Sequence, residues 1–388
     1  MDVEGFVEKQ CEEIKHVLGN EKALIAVSGG VDSTTCAVLV HKAIGNNLQC
    51  VFIDTGFMRL DEPEKVRKFY EGMNLPFKII DAGKRFMDAL NGLVSAEDKR
   101  KAFRQTFYDV LSESAKKEGC KFLVQGTLAA DWIETKGGIK TQHNVLSQVG
   151  INPVEKFGFQ VIEPLTFLYK DQVREVAEYL NVRLDFSERQ PFPGPGLVVR
   201  IIGEISPEKL DLEKRATKIV EENIQGSQYF VAIMDDDCEE FENNIKELTS
   251  EFFVIKPDDI KIKISKNSVT GVKGDLRVYK KLAGLTINSG KNLFKPSIDK
   301  IIELQFDIIS KNPEFTRVAY NITEKPRKGK YIMLVRSVAT KDYMTAKVTE
   351  MPWDKLTKTA NEIMHDCKEV SDVYYDVTPK PPATIEYE

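Results

Sequence analysis

Ser28-Gly29-Gly30-Val31-Asp32-Ser33 stands between the apolar run Lys22-Ala23-Leu24-Ile25-Ala26-Val27 and the segment Thr34-Thr35-Cys36-Ala37-Val38-Leu39-Val40, so strand, glycine turn and helix start follow in register. That order confines this part of the chain to an α/β arrangement, in which a strand delivers a tight turn to the head of a helix. The two glycines let backbone N–H groups approach a ligand, the serines add hydroxyl donors, and the positive end of the helix dipole points at the same spot. The turn therefore reads as a phosphate cradle. Asp32, an acid in the first helical turn, suits both the dipole and an outer-sphere contact to Mg²⁺. No lysine follows the glycines, which excludes the Gly-x-x-x-x-Gly-Lys-Ser/Thr loop, and the chain contains no Gly-x-Gly-x-x-Gly turn. A lone Gly-Gly pair here would be only a tight turn; the six residues together carry the nucleotide reading.

An amphipathic helix is expected over 7–18. Apolar strands at 24–27, 48–53, 77–80, 122–124 and 160–162 then alternate with helices near 33–44, 63–72, 97–118 and 170–180. This is the pattern of a mostly parallel sheet, which binds ligands beyond the carboxyl ends of its strands. Ser28, Asp54 with Arg59, Gly126-Thr127 and Pro164 all follow expected strands, so they are expected to share one crevice. The stretch 129–153 has no sustained period and is expected to be a lid. Pro191-Phe192-Pro193-Gly194-Pro195-Gly196 breaks all patterning and reads as a rigid connector, placing a domain boundary near Gly203.

Beyond it lies a repeat. Arg317-Val318-Ala319-Tyr320-Asn321-Ile322-Thr323-Glu324-Lys325-Pro326 is echoed by Asp372-Val373-Tyr374-Tyr375-Asp376-Val377-Thr378-Pro379-Lys380-Pro381. Each copy follows a helical segment, about 298–310 and 354–368, and before that a strand-like run. Two α+β units, about 250–326 and 327–388, are thus expected in a second domain over 204–388. Their short strands need each other or a second subunit to bury a helix face.

A chain of 388 residues with 42% hydrophobic content suits two or three domains. No apolar stretch approaches eighteen residues and the start lacks a signal-peptide pattern, so a cytoplasmic protein is expected. The six cysteines show no Cys-x-x-Cys pair, pointing to reduced, buried thiols rather than a zinc site. A formal charge of −5 gives no support for broad nucleic-acid binding and favours small phosphorylated ligands.

The loop resembles the PP-loop of the N-type ATP pyrophosphatases, which cleave ATP between the α and β phosphates. The chain as a whole resembles the ATP pyrophosphatase subunit of the GMP synthetase family with its dimerisation domain. The resemblance runs nearly full length through Ile53-Asp54-Thr55-Gly56-Phe57-Met58-Arg59, Gln125-Gly126-Thr127, Ile139-Lys140-Thr141-Gln142-His143-Asn144, Glu163-Pro164-Leu165 and Tyr169-Lys170-Asp171-Gln172-Val173-Arg174. It continues through 191–196 and Lys380-Pro381-Pro382-Ala383-Thr384-Ile385-Glu386-Tyr387-Glu388.

The resemblance implies a parallel-sheet, adenine-nucleotide-alpha-hydrolase-like domain over 1–203 and a homodimer formed through the second domain. It implies ATP-dependent adenylation of xanthosine monophosphate (XMP) at its C2 oxygen, then amination by ammonia to GMP. Ser28, Gly29, Gly30, Asp32 and Ser33 would hold the ATP phosphates with Mg²⁺, joined by Lys170. A cation heading the helix at 170 opposes the dipole and favours a nearby anion, in keeping with that role. By the same resemblance Arg100, Arg277, Lys380, Thr384, Ile385 and Glu386 would bind XMP. Asp131, Glu134, Lys140 and His143 would belong to the lid, Asp131 sharing the chemistry with Asp32 and Lys170.

The chain departs from the family where Ala129-Ala130 replaces Tyr-Pro and where Gln142 and Gln190 stand in the place of histidines, which excludes an imidazole role at both. It also lacks the Gly-x-Cys-x-Gly elbow of a glutamine amidotransferase, so a separate glutaminase subunit or free ammonium is expected to supply nitrogen. Three rival readings remain open at this point. A tRNA-modifying adenylase of the same loop class needs an RNA-binding surface that the acidic balance does not favour. A nucleotide-sensing module would keep the loop without the chemistry. An NAD synthetase-like amidating ligase shares the loop but not the repeat or the closing motif.

Overall fold

A computed structural model describes residues 1–128, 158–182, 190, 192–240, 244–274, 276–341 and 343–388. The chain forms two compact units: Met1–Ala89 with Ala102–Arg189, and Leu90–Lys101 with Gln190–Glu388. The second unit thus begins before the boundary expected near Gly203, and it also takes a short stretch from within the first half of the sequence.

The first unit follows the expected alternation. Its described elements are α1 (Val3–Leu18), β1 (Lys22–Ala26), α2 (Val31–Ile44), β2 (Leu48–Asp54), α3 (Glu62–Glu71), β3 (Phe77–Asp81), α4 (Gly83–Leu90), α5 (Ala96–Glu118, whose residues up to Lys101 belong to the second unit), β4 (Cys120–Val124), β5 (Gln160–Ile162) and α6 (Lys170–Tyr179). The central strands carry continuous apolar runs because helices cover both faces of a parallel sheet. Ala23, Leu24, Ile25, Cys50, Val51, Phe52, Leu123 and Val124 are all buried. In α1, Val7, Cys11, Ile14 and Leu18 recur at helical spacing and form its buried stripe. That stripe packs on α2, itself buried through Thr34, Thr35, Cys36, Ala37, Leu39, Val40 and Ala43.

All neighbours in this sheet are parallel, in the order β3-β2-β1-β4-β5. The chain builds outward from β1 through β2 to β3, then returns to add β4 on the other side of β1. Strand order therefore reverses between β1 and β4, and the crevice at their carboxyl ends is where such a sheet accepts a ligand.

The second unit contains α7 (Pro207–Asn223), β6 (Gln228–Asp235), β7 (Glu239–Glu240), α8 (Asn244–Phe253), β8 (Ile260–Ile264), β9 (Val269–Lys273), β10 (Leu276–Ser289), β11 (Asn292–Leu293), α9 (Ile298–Lys311), β12 (Phe315–Asn321), β13 (Tyr331–Ala339), β14 (Lys347–Val348), α10 (Trp353–Asp366) and β15 (Val370–Asp376). The repeat appears as two βαβ units, β10-α9-β12 and β13-α10-β15, each with its strands parallel. They join edge to edge where β12 and β15 run antiparallel, so the pairing that the short strands need is met within the chain. Each helix buries one apolar stripe, Ile301, Leu304 and Ile308 in α9 and Leu356, Ala360 and Ile363 in α10.

The segment 379–388 is not frayed. Ala383, Tyr387 and Glu388 are buried, and Gly271 bridges Ala383 in antiparallel fashion. A Cβ on Gly271 would run into Pro382 O at 2.8 Å, so glycine is required for this close approach.

Candidate active site

In the first unit the glycine turn follows β1. Gly29 has φ +79°, a left-handed conformation that glycine adopts without strain, and Gly30 caps α2. Ser33 Oγ accepts from Ser28 N–H at 3.2 Å, donates to Gly30 O at 3.2 Å and lies 3.1 Å from Ser28 Oγ. Ser28 Oγ accepts from Gly30 N–H at 3.2 Å. The turn is thus held by its own serines at the head of α2, the end of a helix whose backbone N–H groups have no partner within the helix.

Thr34 Oγ1 donates to Gly30 O at 2.7 Å and lies 2.8 Å from the Tyr70 hydroxyl. Having spent its one proton, Thr34 accepts from Tyr70. Burial pushes the Tyr70 phenol well above its ordinary pKa, which keeps that proton in place.

The neighbouring strand ends close on this turn. A Cβ on Gly126, just past β4, would sit 3.3 Å from Asp32 O and 3.4 Å from Ser33 Cα, so glycine relieves a tight approach of this turn to the head of α2. Thr127 Oγ1 donates to Glu163 Oε1 at 2.6 Å and Gln125 N–H to Ile162 O at 2.9 Å, fastening the ends of β4 and β5 together. Beyond β2, Asp54 Oδ1 accepts from Gly56 N–H at 2.9 Å, and a Cβ on Gly56 would meet Gly83 Cα at 3.2 Å. Arg59 follows that turn.

Lys170 opens α6, whose start is fixed by Tyr169 N–H donating to Gln172 Oε1 at 2.9 Å. Its Nζ lies 4.0 Å from Asp32 Oδ2, with 57% and 33% of the two side chains exposed. An ion pair so open contributes little to stability. What it does is set a cation and a carboxylate beside the phosphate turn, both still reachable by a ligand. The expected lid residues Asp131, Glu134, Lys140 and His143, and Gln142 with them, lie outside the described residues. Among the described residues no group of three or more His, Cys, Asp or Glu could hold a metal ion.

The second unit gathers a different cluster. Arg100, near the start of α5, donates from Nη1 to the Tyr279 hydroxyl and to Glu97 Oε2, each at 3.4 Å. Tyr279 OH donates to the same Glu97 oxygen at 3.2 Å, and Arg277 Nη1 lies 3.9 Å from it. Two guanidiniums therefore share one carboxylate, and these four side chains keep a positive excess. Burial and the neighbouring Arg277 both disfavour the charge on Arg100.

Lys380 Nζ donates to Tyr343 O at 2.5 Å, and its backbone bridges Ala346. Thr384 and Glu386 are engaged inside the unit. Arg317 Nη2 donates to Thr384 Oγ1 at 3.0 Å and to Thr384 O at 2.9 Å, and Arg200 grips Glu386 through two bonds of 3.0 Å. Ile385 packs against the core of the unit.

Sequence reasoning missed the residues that hold this segment. Arg317, Arg336 and Asp376 are fully buried, with Asp376 Oδ2 accepting from Arg317 at 2.7 Å and from Tyr387 OH at 2.8 Å and forming an ion pair with Arg336 Nη1 at 2.8 Å. Gln190 also proves structural, exchanging hydrogen bonds with the backbone of Tyr229 at 2.7 and 2.8 Å. Lys99 is the least legible, a fully buried cation inside what reads as a solvated helical run.

Against family models, residues 4–188 match the PP-loop domain and residues 326–387 match the GMP synthase C terminal domain. Among curated relatives, a glutamine-hydrolyzing GMP synthase subunit of Sulfurisphaera tokodaii is 43% identical over all of this chain and 99% of its own. The same subunit from Saccharolobus solfataricus and from Methanopyrus kandleri is 42% and 38% identical, over all of this chain and 100% and 99% of theirs. A solved NH3-dependent NAD synthetase from Campylobacter jejuni aligns with 48% of this chain and 76% of its own at 20% identity and a TM-score of 0.38, too slight a likeness to bear on function. With the phosphate turn at the switch point of one unit, the duplicated βαβ architecture in the other, and identity above 40% from end to end, the chain belongs to the family of these glutamine-hydrolyzing GMP synthase subunits.

Proposed function

We propose that this chain catalyses ATP-dependent conversion of XMP to GMP, with the glycine turn at 28–33 gripping the departing pyrophosphate. The C2 oxygen of XMP attacks the α-phosphorus of ATP; the new O–P bond forms as the bond to the β-phosphate oxygen breaks, and pyrophosphate leaves. Ammonia then adds at C2, the C2–O bond breaks with release of AMP, and the nitrogen loses a proton to give GMP. Several negative charges must crowd around one phosphorus, so positioning and charge screening are the protein's main contribution. Ser28, Gly29, Gly30 and Ser33 supply hydroxyl and backbone donors to the β and γ phosphates, and Lys170 adds a cation.

Asp32 with the Ser28 and Ser33 hydroxyls is an all-oxygen set containing one carboxylate, which suits Mg²⁺ held jointly with substrate phosphates. When bound, Mg²⁺ supplies charge neutralisation at those phosphates. In the second unit, Arg100 and Arg277 take the monophosphate of XMP in the bidentate manner guanidiniums favour. Lys380, Thr384, Ile385 and Glu386 shape the remainder of that site. Asp131, Glu134, Lys140 and His143 are assigned to a lid that keeps water from the adenylated intermediate, Asp131 acting with the reacting groups. A separate glutaminase subunit delivers ammonia, the second unit forms a homodimer, and the setting is the cytoplasm.

The observation that carries this reading is the phosphate turn seated between β1 and β4, with Lys170 and Asp32 4.0 Å apart beside it. The test is AMP and pyrophosphate formation by the purified chain with ATP, Mg²⁺, ammonium and XMP, each omitted in turn. Pyrophosphate release that proceeds without XMP, or none with all four present, refutes it.

A further inference from the structure

Lys99 and Glu388 are both buried, far apart in sequence and in direct contact. The Lys99 ammonium also donates to Ile201 O and Gly203 O, each at 2.8 Å, so its three protons are all engaged. Glu388 Oε1 accepts from Gly203 N–H at 3.1 Å, so the two charges hold Gly203 from both of its backbone groups. Gly203 has φ +79°, and a Cβ there would collide with the Asn267 side chain at 2.4 Å, so this grip depends on glycine.

From Glu388 the contacts run in a closed circuit. Tyr387 O accepts from Thr270 N–H at 2.8 Å and Pro382 O from Val272 N–H at 2.7 Å, so the segment is fastened to β9 at two points. In the β9–β10 hairpin, Thr270 is the register partner of Tyr279 and Val272 of Arg277. Tyr279 then meets Arg100, and Arg100 adjoins Lys99 on α5. Two routes thus lead from Glu388 to the paired arginines, one through β9 and one through Lys99.

We propose that Lys99 and Glu388 are positioning residues for the monophosphate site, their contact closing the circuit that fixes Arg100 and Arg277 relative to each other. The assignment rests on the reading of Arg100 and Arg277 as the XMP phosphate site and deepens it. Neither Lys99 nor Glu388 touches the substrate; both act through Arg100. A buried charge pair joined to backbone groups on both sides suits this task because its geometry is set by many partners at once.

The test uses the full chain with ammonium as nitrogen source, and calorimetric titration with XMP alone. Glu388→Gln keeps shape and loses charge. It is expected to weaken XMP binding and raise the KM for XMP by about tenfold, the scale of one charge-assisted hydrogen bond, with the KM for ATP moved less than twofold. The double variant Lys99→Met with Glu388→Gln strands no buried charge, so it is the control should the single variant fail to fold. Its loss is expected to match that of Glu388→Gln, as for residues acting as a unit. In an Arg100→Met background, Glu388→Gln is expected to add nothing.

Equal changes in the KM for ATP and XMP, an unmoved XMP affinity, or a full further loss on top of Arg100→Met each overturn the proposal. An unsubstituted chain that does not bind XMP overturns the functional reading itself. A chain that binds XMP but ignores Glu388→Gln overturns the positioning role alone.

Discussion

Tyr320 and Tyr375 oppose each other across the β12–β15 pair, and each occupies the other's place in the repeat. A local two-fold axis therefore passes between them, and hydrogen bonds on its two sides match. Thr378 Oγ1 accepts from Val318 N–H and donates to Val318 O, as Thr323 Oγ1 does with Val373. Thr378 N–H donates to Asp376 Oδ1 as Thr323 N–H does to Asn321 Oδ1. The backbone is duplicated but the charges have diverged. Asp376 gathers Arg317 and Arg336 in one half, while its counterpart Asn321 donates to Asp372 and Thr286 in the other. Arg336 carries this divergence toward the segment 379–388, donating to Thr378 O and Thr384 O at 2.9 Å.

Asp376 should govern the acid limit of stability. Burial alone would raise its pKa, but Arg336 and Arg317 outweigh burial and hold the carboxyl below its ordinary value. A depressed carboxylate contributes stability that is present above the unfolded value, near 3.9, and is lost as pH falls through the folded value. Around it stand Arg317, Arg336, Tyr387 OH and Thr378 N–H. Asp376→Asn leaves two buried guanidiniums without a counter-charge and should cost about 3–5 kcal/mol at neutral pH. Urea melts from pH 7 to pH 3 check this: the variant should be far weaker at pH 7 and lose much less on acidification. Parallel curves would refute the assignment.

Gly126 should matter for ATP although it bears no side chain. A Cβ there presses on backbone atoms of Asp32 and Ser33, which cannot swing aside as a side-chain tip can. Gly126→Ala should displace the head of α2 or β4, at a cost of about 1–3 kcal/mol. The expected readout is a KM for ATP raised about tenfold with XMP binding unchanged. A KM for ATP equal to that of the unsubstituted chain would show the contact to be slack.

The strands of the first unit are legible because each is a short, uninterrupted apolar run bounded by turn residues, and the observed bounds differ from the expected ones by a residue or two at most. The repeat is legible from Val318-Ala319-Tyr320-Asn321 against its echo at 373–376. Long-range polar pairing is not. Nothing local distinguishes Lys99, whose partners are Ile201, Gly203 and Glu388, from the solvated lysine at 101, and for the same reason no pattern marks the stretch Leu90–Lys101 as part of the second unit. Thr384 and Glu386, expected to face a ligand, likewise meet partners, Arg317 and Arg200, that no local pattern announces.

Tyr70 supports the phosphate turn from α3. Its hydroxyl donates to Thr34 Oγ1, which in turn holds Gly30 O. Tyr70→Phe removes the donor but keeps the ring stacked on Phe77 at 4.8 Å. It should cost about 1 kcal/mol and raise the KM for ATP a few-fold while leaving the XMP dependence intact. Steady-state kinetics against each nucleotide, with a thermal melt, separate this from general destabilisation.

Nitrogen transfer from glutamine should require another chain. Glutamine hydrolysis by cysteine needs a thiolate at neutral pH, which arises where neighbours lower the thiol pKa. Here burial raises all six thiols: Cys120 to about 11, Cys50, Cys238 and Cys367 to about 12, and Cys11 and Cys36 upward as well. Five of the six side chains are also buried, beyond the reach of a substrate. The purified chain should therefore form GMP with ammonium and not with glutamine, at a rate unaffected by brief iodoacetamide treatment. GMP formed from glutamine by this chain alone, or its abolition by alkylation of the folded protein, would sink the expectation.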